Sequence, residues 1–171
     1  LQCARGGRSA LHRLADERGD ALGPELLDLL GEPPGGAQAV FLRRDVGAVL
    51  VPVRLLDVRA SLGECPVWSV EEGVLYWVDI NAPSLNRFDP ATGRNTAMAM
   101  PESIGCFALR RAGGFVVALR SGFWLARQDG TLERKVAAAP YEPAQHRFND
   151  GRCDPQGRLL AGSMNESRDA A

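Results

Sequence analysis

The sequence predicts an all-β fold, a partial β-propeller of about two and a half blades, preceded by a short N-terminal extension of mixed or poorly ordered structure. Three observations lead there. From Leu62 onward the apolar runs are short and carry no helical period. They are separated by turns built from Asp, Pro and Gly, as in Asp89-Pro90-Ala91-Thr92-Gly93 and Asp129-Gly130. The pattern also recurs: Gly73, Gly114 and Gly157 lie 41 and 43 residues apart, and an apolar strand follows each.

The elements follow in order. Residues 1–55 form an extension with no motif of their own. Ser9 can cap a short helix holding Leu11 and Leu14, and Pro24-Glu25 can open a second one holding Leu26, Leu27, Leu29 and Leu30. Glu32-Pro33-Pro34-Gly35-Gly36 breaks that pattern, after which Val40–Leu42 and Val46–Leu56 read as extended. Residues 56–171 form the propeller part. Its first unit has strands at Val67–Val70, Val74–Val78 and Leu85–Phe88. The second has Phe107–Arg110, Phe115–Leu119 and Trp124–Arg127. The third opens with Arg152–Asp154 and Leu159–Ala161. The strands are continuously apolar rather than alternating, which fits sheets stacked face to face with both faces covered. Such a partial ring cannot close, so the chain is expected to be a piece of a longer protein.

Composition narrows the function. A net charge of −1 gives no electrostatic reason for nucleic acid or an anionic membrane as partner. No apolar stretch reaches the ~18 residues of a membrane span. Lys135 is the only lysine, and the arginine excess is read as coding bias rather than as a phosphate site. Cys3, Cys65, Cys106 and Cys153 form no C-x-x-C pair and match no zinc spacing. They read as small buried hydrophobes in a reducing compartment, which makes a cytoplasmic location the expectation. Phosphate loops, G-x-S-x-G elbows and H-E-x-x-H motifs are absent. Nothing in the sequence speaks to an oligomeric state.

Three stretches carry a resemblance: Leu62-Gly63-Glu64-Cys65-Pro66-Val67-Trp68 with Leu75–Ile80; Arg87-Phe88-Asp89-Pro90-Ala91-Thr92-Gly93; and Arg147-Phe148-Asn149-Asp150-Gly151-Arg152-Cys153-Asp154-Pro155 with Ala161-Gly162-Ser163-Met164. Together they resemble the senescence-marker-protein/gluconolactonase/luciferin-regenerating (regucalcin-like) family over about residues 57–166. The resemblance implies a six-bladed propeller with one divalent metal ion, calcium or zinc, in its central channel. It implies hydrolysis of a sugar lactone to the aldonic acid. Glu64 then stands at the metal-ligand position, where a hard cation takes oxygen. Arg147 and Asn149 stand at substrate-binding positions, the first with fixed donors, the second able to donate and accept. Glu166 lies near a further substrate-contact position, with a slightly different spacing after G-x-M. The catalytic base and the other metal ligand are expected on later blades and are not assigned to any residue here, so the chain itself is expected to be inactive. Asp150 reads as a structural turn residue, and His146 as a solvated or packed neighbour of Arg147. His12 lies outside the propeller part. Two alternatives stay open: a propeller that binds metal or ligand without catalysis, and an interaction module fused to residues 1–55.

Overall fold

The computed structural model describes residues 40–42 and 52–167. Every regular element among them is a strand: β1 (Val40–Leu42), β2 (Pro52–Arg54), β3 (Gly63–Ser69), β4 (Val74–Asp79), β5 (Ser84–Asp89), β6 (Arg94–Ala99), β7 (Ile104–Leu109), β8 (Phe115–Leu119), β9 (Gly122–Ala126), β10 (Leu132–Ala138), β11 (His146–Cys153) and β12 (Leu159–Asn165). β1 and β2 form an antiparallel pair within the extension. The helices expected around Leu11 and Leu26 lie outside the described residues. β3–β6 make a four-stranded sheet in which each strand pairs with the next; β7–β10 make a second, and β11–β12 form a two-stranded antiparallel ladder. The first two repeats of the sequence are therefore each one up-and-down meander, and the third contributes a pair of strands among the described residues.

Local chemistry explains the repeat. Gly73, Gly114 and Gly157 hold φ of +66°, +74° and +81°, a left-handed conformation that glycine adopts without steric cost. Each closes the turn between the first and second strand of its unit. The second strands fall where the sequence places them. The opening strands begin earlier than expected, at Gly63, Ile104 and His146 rather than at Val67, Phe107 and Arg152. The reason is visible in β3: the ladder with β4 skips between Glu64 and Val67, and Pro66 sits in that skip, where no ladder hydrogen bond is asked of it. A proline that reads as a breaker is thus absorbed inside a strand.

The central strands are buried on both faces, as continuous apolar runs require. Val74, Tyr76 and Val78 of β4 join Phe107 of β7, Phe115, Val117 and Leu119 of β8, and Phe148 of β11 in one core between the sheets. Tyr76, Phe107 and Phe115 meet edge to face, with centroids 5.3–6.2 Å apart. The alternate residues Leu75 and Trp77 face the other way, onto Leu56 and the segment at Leu55, Val58 and Ala60. That segment covers the outer face of the first sheet.

Candidate functional site

Glu64 stands at the start of β3, and its placement is fixed by a neighbouring carboxylate. Asp79, only 4% exposed, accepts hydrogen bonds from the backbone N–H of Ser61 (2.7 Å), Leu62 (3.0 Å) and Ala82 (3.0 Å). The Ile80 N–H donates to the Leu62 carbonyl at 3.0 Å. The chain is thereby clamped two residues before Glu64. Cys65, directly after it, has φ of +53°, so the backbone turns sharply at the bulge. Glu64 itself is half-buried, and its carboxylate makes no hydrogen bond or ion pair with the described residues.

β11 carries Arg147 and Asn149. The Arg147 side chain is 7% exposed, and each donor it uses has a defined acceptor. Nη1 donates to the Phe148 carbonyl (3.0 Å) and to Asn149 Oδ1 (2.9 Å); Nε donates to Glu166 Oε1 (2.9 Å). Guanidinium has no acceptor, so it holds the oxygen of the Asn149 amide and leaves Nδ2 as that side chain's donor. Two donors thus remain without an acceptor among the described residues, Asn149 Nδ2 and Arg147 Nη2. Asp150 turns back on its own strand, accepting from the Gly151 N–H (2.8 Å) and from Arg152 (3.1 Å). Phe148, between Arg147 and Asn149, is anchored against Phe123 and Tyr141, with ring centroids 4.7 and 5.1 Å away.

The other oxygen of Glu166 is held by Arg120, in the turn between β8 and β9. Arg120 Nη1 also donates to the carbonyls of Pro143 and His146, both at 3.1 Å. Burial would push the Glu166 carboxyl up; the hydrogen bonds and charges of Arg120 and then Arg147 outweigh it and hold the group below the usual carboxylate range. Sequence reasoning missed Arg120, because an arginine in a tight turn reads as solvated. It also gave Glu166 no protein partner. His146, read as a neighbour, lies beside Tyr141 with centroids 5.7 Å apart, and its Nδ1 and the Tyr141 hydroxyl are buried without a protein partner.

Arg147 and Asn149 are brought into direct contact. No hydrogen bond or ion pair joins Glu64 to either of them among the described residues; its neighbour Cys65 reaches β11 further along, with its thiol 3.7 Å from the Gly151 carbonyl and 3.3 Å from Arg152 Nη1. The repeat adds a second relation. β3, β7 and β11 all shift register near their start, between Glu64 and Val67, Ile104 and Cys106, and Phe148 and Gly151. The last paired residues before the shift are Glu64, Ile104 and Phe148, each opposite the fifth residue of the following strand, while Gly105 and Asn149 lie one place further on, inside the shift. At Gly105 β7 runs against β11 so closely that a side chain would force a shift: a Cβ there would lie 2.3 Å from the Phe148 carbonyl carbon and oxygen.

The described residues do not assemble a metal centre by themselves. Glu64 has a hard, unengaged oxygen donor, but no group of three or more His, Cys, Asp or Glu is placed to hold an ion among the described residues. Burial pushes Cys65 and Cys106 up, so both are held as thiols rather than thiolates.

Residues 62–171 match the family described as SMP-30/Gluconolactonase/LRE-like region. A 6-deoxy-6-sulfogluconolactonase of Pseudomonas putida is 53% identical over 108 residues, which are 63% of this chain and 37% of that protein. Regucalcin of Xenopus laevis is 37% identical, over 62% of this chain and 36% of its own length. Among solved structures, a calcium-binding protein, regucalcin, of Agrobacterium tumefaciens superposes with a TM-score of 0.61 at 28% identity, over 66% of this chain and 38% of that one. The chain thus spans a little over a third of the length of these relatives. On the match over 62–171, the chain belongs to the SMP-30/gluconolactonase/LRE-like family.

Proposed function

We infer that the complete protein hydrolyses a sugar lactone to its aldonic acid, and that this chain supplies the substrate-orienting side of the site. The observation that carries the reading is the buried Arg147, joined to Asn149 on the same bulged strand and to Glu166 just past β12. Lactone opening builds negative charge on the former carbonyl oxygen, and donors fixed beforehand stabilise that charge at no cost of reorganisation. Arg147 Nη2 and Asn149 Nδ2 are such donors. The pairing with Glu166 balances the arginine's charge and locks its plane, which a flexible lysine could not offer. Glu64 would hold a divalent ion, calcium or zinc. When bound, such an ion polarises the carbonyl and makes a coordinated water more acidic. The other ligands and the general base fall to residues outside those described, on the remaining blades of a six-bladed ring.

Three relatives are named as lactonases: the P. putida protein, a putative sugar lactone lactonase of Bacillus subtilis and a pentonolactonase of Haloferax volcanii. The P. putida protein puts a lactone with a sulfonated C6 first among the substrates to try. A second reading has one specific support: the Agrobacterium neighbour is named for calcium binding, so the site could serve binding alone. The test is a panel of 6-deoxy-6-sulfogluconolactone, gluconolactone, galactonolactone and xylonolactone. The full-length protein and residues 1–171 are each assayed with calcium, zinc, manganese or magnesium, and acid release is compared with the spontaneous rate. Metal-dependent turnover by the full-length protein, with residues 1–171 at background, is expected. A full-length protein that binds metal but turns over none of the lactones would move the assignment to the binding reading.

A further inference from the structure

The strongest feature outside the motif residues is the clamp built by Arg120. This side chain belongs to the second sheet, yet its acceptors all lie elsewhere. Nη1 takes the Pro143 and His146 carbonyls, in the connection into β11, and Nη2 takes Glu166, just past β12. Glu166 is otherwise held by Arg147 and by its own N–H to the Gln145 carbonyl at 2.8 Å. A third of the Glu166 side-chain surface is exposed. An exposed carboxylate meeting one arginine is a weak and mobile contact; one with an arginine on each oxygen is fixed in direction. Glu166 in turn receives the Arg147 Nε–H, and that bond sets the rotation of the guanidinium and hence where Nη2 lies.

We propose that Arg120 is a positioning residue for the site: it fixes Glu166, which fixes the Arg147 guanidinium so that its free Nη2 edge meets the lactone. The proposal rests on the lactonase reading for what is bound, but not for the chain of contacts. Arg120 touches no substrate and is not a catalytic residue. Its effect passes through Glu166, and that makes it separable from a merely structural role in holding Pro143 and His146.

The test uses the full-length protein with Arg120→Met, Glu166→Gln and the double variant. Arg120→Met is expected to lower kcat for the lactone and to raise Kd for the aldonate product, each by about tenfold, with KM changed less than about threefold, because a donor to charge that develops in the transition state acts on kcat and misplacing a bound group by about 1 Å costs up to about a hundredfold. In the Glu166→Gln background, Arg120→Met should add little, because residues acting in series are not additive. Equal effects in both backgrounds would overturn the proposal and leave Arg120 as a tie for the Pro143 and His146 carbonyls alone. A second readout does not need turnover: exchange of the Arg147 Nε proton, followed by 15N NMR, should be slow in the wild type and faster in Arg120→Met. Unchanged exchange would refute the positioning role even if the protein proved not to be a lactonase. Wild-type exchange that responds as expected, without any lactone turnover, would refute only the functional reading. Should Arg120→Met fold poorly, Arg120→Lys serves instead. It keeps the charge but lacks the planar fork that spans both carbonyls and Glu166, so an intermediate loss is expected, and full wild-type behaviour would count against the proposal.

Discussion

Glu64→Gln in the full-length protein is expected to lower metal-dependent lactone hydrolysis by about 10²–10³-fold while leaving the fold intact. The two side chains have nearly the same shape. The substitution removes only the negative charge that a hard cation needs to exchange its water shell for protein oxygen. Stability should hardly change, because the Glu64 carboxylate makes no hydrogen bond or ion pair with the described residues and its backbone is held by Asp79 through Ser61 and Leu62. Titration calorimetry should show the loss in metal affinity, and circular dichroism should show an unchanged melting curve. Undiminished metal affinity in the variant would remove Glu64 from the metal site. A collapse of the fold would instead give it a structural role.

Gly105→Ala is expected to destabilise the protein by about 1–3 kcal/mol, the usual cost of forcing an extra methyl into a packed site, and to reduce turnover as well. The new Cβ would fall 2.3 Å from the Phe148 carbonyl atoms and 2.7 Å from its Cβ. Backbone cannot swing aside like the end of a side chain, so β11 must shift, and Arg147 and Asn149 flank Phe148 on that strand. Gly73→Ala is the control. It meets nothing within 4 Å but sits at φ +66°, so it should cost only the left-handed conformation, about 1 kcal/mol, and leave turnover alone. Urea denaturation of both variants beside activity measures the difference. Equal stability losses with equal activity would show that the approach of β7 to Phe148 does not position the site.

The architecture was legible because its causes are local. A left-handed glycine must close each first turn, and strands covered on both faces must be apolar throughout; hence the period at Gly73, Gly114 and Gly157 and the strands β4 and β8. The opening strands were only half legible. Proline and glycine in Gly63-Glu64-Cys65-Pro66 signal interruption, and a bulge that tolerates Pro66 depends on the partner strand rather than on the residues themselves. The same holds for the site. Glu64, Arg147 and Asn149 are candidates because of the motifs they sit in, but the role of Asp79 in pinning Ser61 and Leu62 comes from strand pairing across the β3–β4 ladder. Arg120 was illegible for a stronger reason: it is 46 residues from Glu166 in sequence, and its turn has no motif. Only the packing of the second sheet against β11 joins them.

Whether Glu64, Arg147 and Asn149 serve one site is decided by a crystal structure of the full-length protein with calcium or zinc and an aldonate product. A shared site requires one cation with a Glu64 carboxylate oxygen at about 2.0–2.6 Å and the aldonate within about 2.7–3.2 Å of donors on Arg147 and Asn149. A cation bound away from Glu64, or an aldonate that touches neither Arg147 nor Asn149, would contradict it.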